Sequence, residues 1–404
     1  MSLALGARFA GSFLFLSLLG PLPLHGHEGH ADHGGQSAKK SHASPRGGLG
    51  ASAAFDAGGT LWAVAKEGGH VVLHRSGDFG RTWRKLGPVN AVPEGIGADG
   101  DARPKIAAGR GADLYVTWTK PLSKSYTGDI RFARSVEGGR SFSAPVTVHA
   151  DRQEITHRFD ALTVNRDGKV FVAWVDERDQ ETAKARKSDY RGAAIYYAVS
   201  DDRGASFRGD FKLADYTCEC CRIALLPRDD GSVLAMWRHV FAPNIRDHAL
   251  ARMTADGRGG ELRRATFDDW RIDACPHHGP SLAADSDGRL HAVWFSQAPQ
   301  RSGVFYGRLL DGGVRGQRRI GGDTAAHADI GVIGKRIALA WKEFDGERSR
   351  LKAMISPDGG ESWREQQIAV TVGASDQPRV LTHLGRLYVF WNTRNEPLSV
   401  VALP

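Results

Sequence analysis

Apolar and polar residues alternate along short stretches of this chain, and most of these stretches end in tryptophan. Alternation with a period of two predicts β-strands with one buried face. Six stretches follow the pattern through to a tryptophan: Leu114 to Trp118, Val170 to Trp174, Val233 to Trp237, Leu290 to Trp294, Ile337 to Trp341 and Leu387 to Trp391. A seventh stretch, Leu61 to Ala65, keeps the alternation but has alanine in the last position.

These stretches recur at intervals of roughly 47 to 63 residues, without an intervening linker. A strand-based repeat of this length predicts a radial β architecture in which each unit forms one blade. We therefore predict an all-β propeller over residues 51–404, with seven blades or, alternatively, six and a split closing blade. The last unit lacks an evident fourth strand, so we expect the segment before Ala51 to supply it and close the ring.

A polar octapeptide with a central glycine and a final aromatic residue recurs at the hairpin turns. Three copies are complete, Ser76 to Trp83, Ser200 to Phe207 and Ser356 to Trp363, and a weaker copy spans Ser135 to Phe142. In such a turn the carboxylate accepts backbone N–H groups, and the glycine takes a positive φ. This pattern is the Asp box, and the chain resembles the sialidase (BNR/Asp-box repeat) superfamily of propellers. The resemblance implies a sialidase-like fold and says little about activity.

The first 50 residues have the composition of an export signal followed by a polar leader. An apolar run from Phe9 to Gly20 has the length of a secretory signal and is too short to cross a bilayer. We predict a signal peptide over residues 1–24, a histidine-rich flexible leader over 25–50 and a propeller domain over 51–404. Histidine-rich tracts collect transition metals. The expected location is the periplasm or the extracellular medium, without a membrane span.

The net charge changes the expected partners only slightly. The chain carries a formal charge of +8, which favours anionic ligands. It has no run of lysine and arginine interleaved with aromatic residues, so nucleic acid is not expected as a partner. We expect a monomer whose partner is a metal ion or an anionic glycan.

Cysteines and histidines cluster in the segments that lead into the innermost strands. These segments lie on one face of a propeller, around its axis, so residues distant in sequence are expected to converge there. Thiolates and imidazoles are ligands of copper and zinc. We predict a transition-metal site, copper before zinc, formed from Cys218, Cys220, Cys221, Cys275, His157, His277, His278 and His327. The alternative is a non-catalytic binding propeller whose cysteines form disulfides, as in many exported proteins.

The resemblance to sialidases implies a further alternative, an exo-sialidase or related glycoside hydrolase acting on acidic glycans. Such a pocket needs arginines that clamp a carboxylate and acidic side chains for catalysis. Equivalent places in different blades carry the candidates Arg103, Arg158, Arg222 and Arg379, and the candidate acids are Glu177 and Glu343. The family's aspartate acid and tyrosine nucleophile are not identified at the expected intervals. The sequence therefore leaves open whether the chain is an enzyme.

Overall fold

The computed structural model describes residues 49–98, 100–274 and 276–404. The predicted signal peptide, most of the predicted leader, Asp99 and Cys275 lie outside the described residues. The described chain forms seven antiparallel sheets, six of four strands and one of three. Strands pair in chain order within each sheet, so every blade is a meander. Among the described residues, none of the helices has the length and apolar composition of a membrane span.

The first four blades follow one another without a domain boundary. Their strands are β1 (Ala51–Phe55), β2 (Leu61–Glu67), β3 (His70–Ser76) and β4 (Arg84–Pro88); β5 (Lys105–Ala108), β6 (Leu114–Pro121), β7 (Gly128–Ser135) and β8 (Val146–Thr147); β9 (His157–Val164), β10 (Val170–Asp176), β11 (Ala193–Ser200) and β12 (Arg208–Thr217); and β13 (Ala224–Pro227), β14 (Val233–Arg238), β15 (His248–Met253) and β16 (Arg263–Arg264). One helix, α1 (Arg178–Arg186), lies between β10 and β11.

The last three blades complete the ring, and the seventh has only three described strands. They contain β17 (Ser281–Ala284), β18 (Leu290–Ala298), β19 (Arg301–Leu310) and β20 (Gly313–Ile320); β21 (Ala325–Ile333), β22 (Arg336–Phe344), β23 (Arg348–Ser356) and β24 (Arg364–Val372); and β25 (Arg379–His383), β26 (Arg386–Trp391) and β27 (Ser399–Ala402). The seven-bladed prediction is confirmed.

The ring closes between the seventh and first blades. Each innermost strand lies against the innermost strands of both neighbouring blades, and β25 lies against β1 in the same way. The buried carboxylate of Asp376 accepts the backbone N–H groups of Leu49, Gly50 and Ala51 at 2.7 to 3.1 Å. The described residues contain no fourth strand for the last blade, and the segment before Leu49 lies outside them. In the described chain, the packing of β25 against β1 and the hydrogen bonds of the Asp376 carboxylate therefore join the last blade to the first.

The core of the described chain consists of seven apolar clusters, one at each junction between adjacent blades. The six tryptophans that end the alternating stretches are fully buried, and each packs toward the preceding blade. In the first blade Ala65 occupies that position and packs at the closing junction. Trp62 of the same strand faces the second blade instead. The tryptophans of the alternating stretches therefore lie on the face of the second strand that packs against the preceding blade.

The three complete Asp boxes form the same turn in three blades. In the first, the Ser76 hydroxyl donates to the Asp78 carboxylate at 2.7 Å and accepts the N–H of Gly80 at 2.8 Å. The Asp78 carboxylate also accepts the N–H and hydroxyl of Thr82 at 2.9 and 2.7 Å. These hydrogen bonds lower the pKa of Asp78 to about 2. The box therefore holds the β3–β4 turn by local contacts and builds the blade.

Gly204, in the Asp box of the third blade, has a φ of +76° and no room for a side chain. An added Cβ would lie 2.7 Å from the ring of Phe132 in the second blade. Gly288 is the matched control, because it has the same φ and nothing within 4 Å of its added Cβ. Both alanine variants incur about 1 kcal/mol for the left-handed backbone. We expect Gly204→Ala to lower the free energy of unfolding by about 1 to 3 kcal/mol more than Gly288→Ala, measured by urea denaturation. Equal losses would contradict the packing argument.

Candidate functional site

The candidate residues lie on one face of the propeller, which we call the leading face. It comprises the ends of the second strands of the blades and the segments that lead into the innermost strands. In the fourth blade it contains the segment 218–223, the end of β14 and the start of β15. The predicted convergence of leading segments on one face follows from the observed meander order.

Three of the predicted cysteine ligands form a compact group between β12 and β13. Cys218, Cys220 and Cys221 are buried in the apolar cluster between the third and fourth blades. Their Sγ atoms are separated by 3.9 Å (218 to 220), 3.9 Å (220 to 221) and 3.6 Å (218 to 221). The N–H of Cys218 donates to the carbonyl of Arg238 at 2.9 Å, which holds this turn against the end of β14. The contact with Cys218 raises the pKa of Cys221 to about 12.

The triangle of sulfur atoms has the dimensions of a metal–thiolate site. A point equidistant from the corners of a triangle with sides of 3.6, 3.9 and 3.9 Å lies about 2.2 Å from each corner. A zinc–thiolate bond is about 2.3 Å long, so an ion at or just above this point reaches all three sulfurs. The separations are far longer than the roughly 2.05 Å of a disulfide bond. The three sulfurs therefore contact one another without bonding to one another.

Two of the predicted histidine ligands stack on each other at the leading face of the fifth and sixth blades. The rings of His278 and His327 are 4.3 Å apart and nearly parallel, and Phe295 stacks on the other side of His278. The Nδ1 atom of His327 lies 2.9 Å from the side-chain amide of Gln377. Burial lowers the pKa of His278 to about 3, so its ring is neutral at physiological pH. His277 is exposed.

His157 belongs to a different group, at the junction of the second and third blades. Its ring stacks on that of His149 at 3.8 Å, and ligand atoms of Asp129, His149 and His157 lie within 4.8 Å of one another. His149 Nε2 accepts the N–H of Ile130 at 3.1 Å, and its Nδ1 lies 2.7 Å from the Asp151 carbonyl. Both ring nitrogens of His149 are thus engaged, which disfavours metal binding there. In the described chain no histidine lies within that distance of all three cysteines.

Two of the four predicted clamp arginines are buried and bound to backbone carbonyls. Arg103 donates to the carbonyl of Gln377 at 2.7 Å. Arg222 donates to the carbonyls of Pro280 and Ala328 at 2.8 Å and lies 3.4 Å from Asp101. These contacts join different blades across the hub. They give both side chains a structural role.

The other two predicted arginines are more accessible. Arg379 lies 3.5 Å from the buried carboxylate of Asp329. The Arg158 guanidinium lies 5.9 Å from the centre of the Tyr126 ring and 5.1 Å from that of Phe159. Arg103 interacts electrostatically with both Arg222 and Arg379, so these three guanidinium groups lie near one another, whereas the Arg158 guanidinium packs against two aromatic rings.

The two predicted acids also differ in their surroundings. The Glu343 carboxylate accepts the indole N–H of Trp341 and the N–H of Gly322, both at 2.9 Å, and pairs with Lys352 at 3.1 Å. These contacts outweigh its burial and lower its pKa. Burial raises the pKa of Glu177, which lies at the start of α1. Of the two, only Glu177 has its pKa shifted in the direction that a general acid requires.

Two buried basic side chains beside the cysteines were not predicted from the sequence. Arg238 ends β14, directly after the fourth blade's tryptophan, and His248 begins β15 opposite it. Burial lowers the pKa of His248 well below its usual range, and its Nε2 has no hydrogen-bond partner among the described residues. A charged residue immediately after a buried strand tryptophan was the available sequence signal.

A cavity of about 400 Å³ opens on the leading face beside the second blade. The loop from Leu122 to Thr127 forms one wall, and Arg158 of the third blade forms another. Tyr126 is 63% exposed, and its φ of +64° is unusual for a residue with a side chain. Lys124 also lines the cavity, so an aromatic ring and two cations face the same space.

Comparisons with solved structures find the same architecture at low sequence identity. The polysaccharide lyase Uly1 shares 10% identity over 92% of this chain and 94% of its own, with a TM-score of 0.53. A PL25 ulvan lyase bound to -[GlcA(1-4)Rha3S]- shares 10% identity over 90% of this chain and 94% of its own, with a TM-score of 0.52. The Hadza microbial sialidase Hz136 shares 14% identity over 82% of this chain and 70% of its own, with a TM-score of 0.47. No protein-family model and no curated protein matches the chain. The predicted all-β propeller of seven blades is confirmed at the level of fold.

Proposed function

We propose that this chain is a metal-binding propeller that holds a transition metal, copper(I) before zinc, at the thiols of the fourth blade. The observation that carries the proposal is the triangle formed by the sulfurs of Cys218, Cys220 and Cys221. Three buried sulfurs at these separations form a ligand set that needs no backbone movement to meet one ion. Soft thiolates in an apolar environment favour copper(I), and zinc accepts the same ligands.

The next leading segment along the ring provides further candidate ligands. A Cβ added at Gly279 would lie 2.5 Å from the backbone nitrogen of Arg222, so residues 276–280 pack directly against the end of the cysteine segment. Cys275 and His277 precede this contact, and we propose them as the source of a fourth ligand. His278 and His327 would then form the wall of the site. The predicted export signal and histidine-rich leader fit a protein that handles metal outside the cytoplasm.

Anaerobic titration of the reduced, full-length protein with copper(I) and a competing chelator tests this proposal. Parallel titration with zinc, and a thiol count on denatured protein, identify the metal and the oxidation state of the cysteines. We expect one tightly bound copper(I) per chain, with the cysteines counted as free thiols once the metal-free protein is denatured. The absence of tight copper(I) and zinc binding in fully reduced protein would refute the metal site. Full oxidation of the cysteines to disulfides in protein isolated without reductant would instead favour the structural alternative.

A second candidate function, binding of acidic glycans, is favoured by the cavity beside the second blade. An exposed aromatic ring gives a sugar a stacking surface, and guanidinium and ammonium groups bind carboxylate or sulfate. Tyr126, Arg158 and Lys124 supply these groups around about 400 Å³. The similar ulvan lyase is bound to a saccharide containing glucuronate and a sulfated rhamnose. We propose an acidic saccharide as the ligand of this cavity.

Arg158→Ala should weaken binding of a glucuronate-containing oligosaccharide by about tenfold or more, because it removes the cation opposite Tyr126. Isothermal titration calorimetry measures the change. Arg140→Ala is the matched control, since Arg140 is exposed on the Asp-box turn of the second blade, outside the cavity. Equal affinities of the two variants would place the saccharide elsewhere, and no binding by the wild type would exclude this second function.

A further inference from the structure

The fourth blade departs from a rule that the other blades follow. In those six blades an indole N–H of the second strand donates to an oxygen at 2.7 to 3.0 Å: Trp62 to Asp56, Trp118 to Glu94, Trp174 to Asp176, Trp294 to Asp268, Trp341 to Glu343 and Trp391 to the carbonyl of Asp376. Trp237 of the fourth blade is buried, and its indole nitrogen has no partner in the described part of the chain. In five of those blades the acceptor is an aspartate or glutamate side chain. Trp237, in the blade that carries the cysteines, has no such acidic partner among the described residues.

The same blade buries a cation without a carboxylate. Arg238 is 1% exposed, and its terminal nitrogens donate only to the backbone carbonyls of Arg246, His278 and Phe295, at 2.8 to 3.0 Å. Its Nε has no partner, and no acidic side chain within the described ranges pairs with it. The guanidinium lies 4.8 Å from the centre of the Trp270 ring. A buried charge without an opposite charge is costly, so such a group calls for a counter-ion.

The cysteine group is the neighbour that can provide the missing negative charge. The Arg238 carbonyl accepts the N–H of Cys218, so the guanidinium projects from the residue against which the cysteine turn is held. Arg238 is close enough to interact electrostatically with both Cys221 and His248. No carboxylate in the described chain pairs with Arg238, so a metal–thiolate group beside it would be the neighbouring source of negative charge.

We infer that Arg238 is the buried counter-charge of the metal–thiolate group in the fourth blade. This inference rests on the proposed metal site. When three thiols bind an ion they release three protons to solvent, and the group has a charge of −2 with copper(I) or −1 with zinc(II). Arg238 offsets one unit of that charge in either case. The residue positions and stabilises the bound state without acting as a ligand.

The test compares Arg238→Met, Arg238→Gln and Arg246→Met in the full-length protein. Methionine removes the charge and keeps the length of the side chain, and glutamine retains an amide donor near the same carbonyls. Arg246→Met is the matched control, because it removes a nearby cation whose Nε hydrogen-bonds to the side chain of Asn244. We expect copper(I) affinity to fall about 100-fold in both Arg238 variants, which corresponds to about 2.8 kcal/mol, and to stay within threefold of the wild type in Arg246→Met.

Unfolding of the metal-free and metal-loaded forms separates this role from a purely structural one. Loss of an uncompensated cation should leave the metal-free form of Arg238→Met as stable as the wild type or more stable, while the stabilisation gained from metal decreases. Wild-type affinity in both Arg238 variants would overturn the inference while leaving the metal site intact. Failure of the wild type to bind metal would refute the proposed function itself. Equal destabilisation of both forms, with unchanged affinity, would show that Arg238 only supports packing.

Discussion

Cys221→Ser is expected to lower copper(I) affinity by at least about 1000-fold, or about 4 kcal/mol. Cys221 contacts both other thiols of the group, so its loss leaves two sulfurs and no trigonal set. A serine hydroxyl is a hard and neutral group, which copper(I) binds poorly. Chelator competition measures the affinity, and the metal content of protein purified from copper-supplemented cells gives an independent value.

Met253→Leu is the control for this experiment. Met253 is a fully buried sulfur-containing residue of the same apolar cluster, and the exchange keeps its volume. We expect this variant to bind metal like the wild type. Wild-type affinity in Cys221→Ser would mean that the ion is held elsewhere, for example by the histidine-rich leader.

Asp376→Asn is expected to lower the free energy of unfolding by about 3 kcal/mol. The buried carboxylate accepts three backbone N–H groups of residues more than 300 positions away, and also the side-chain amide of Asn392 at 2.8 Å. An asparagine presents an N–H group to donors that need an acceptor. The ring should therefore open at the junction of the seventh and first blades, and chemical denaturation followed by tryptophan fluorescence measures the loss.

Asp345→Asn provides the comparison, because Asp345 also accepts two backbone N–H groups. Its partners are Glu347 and Arg348, within three residues in an exposed turn. We expect a much smaller loss there, since that contact closes only a local turn. Losses of similar size in the two variants would contradict the role assigned to Asp376 in ring closure.

The sequence predicts the blades well, because their determinants are local. Each stretch that ends in tryptophan became the second strand of a blade, and the Asp boxes became the predicted turns. The count of seven follows directly from these repeats. Ala65 fits the same rule, since it takes the tryptophan's place at the closing junction, where the apolar cluster is small.

The site was predictable only where ligands are neighbours in sequence. Cys218, Cys220 and Cys221 meet because one short turn carries all three. His157 occupies an equivalent place in the preceding blade but faces the junction with the second blade, where it stacks on His149. The direction in which a side chain leaves a leading segment depends on tertiary packing, which the repeat pattern does not encode.

The contacts of the arginines also could not be predicted, because they too depend on the packing of one blade against another. Arg103 and Arg222 occupy equivalent positions in their blades, as the repeats predict, yet both are bound to carbonyls of other blades. Arg238 follows a strand tryptophan, a position that is polar, apolar or charged in different blades, so the sequence shows the charge there but not its burial beside the cysteines. Contacts between blades decide these roles, and they become visible only when the ring is assembled.

X-ray absorption spectroscopy of the copper(I)-loaded protein counts the sulfur atoms bound to the metal and so decides whether the three thiols of the fourth blade hold it. We expect the metal to be coordinated mainly by three sulfurs at about 2.2 to 2.3 Å, and we expect Cys221→Ser to lose this coordination. A first shell made only of nitrogen and oxygen would contradict it, since the ion would then lie away from the three thiols of the fourth blade.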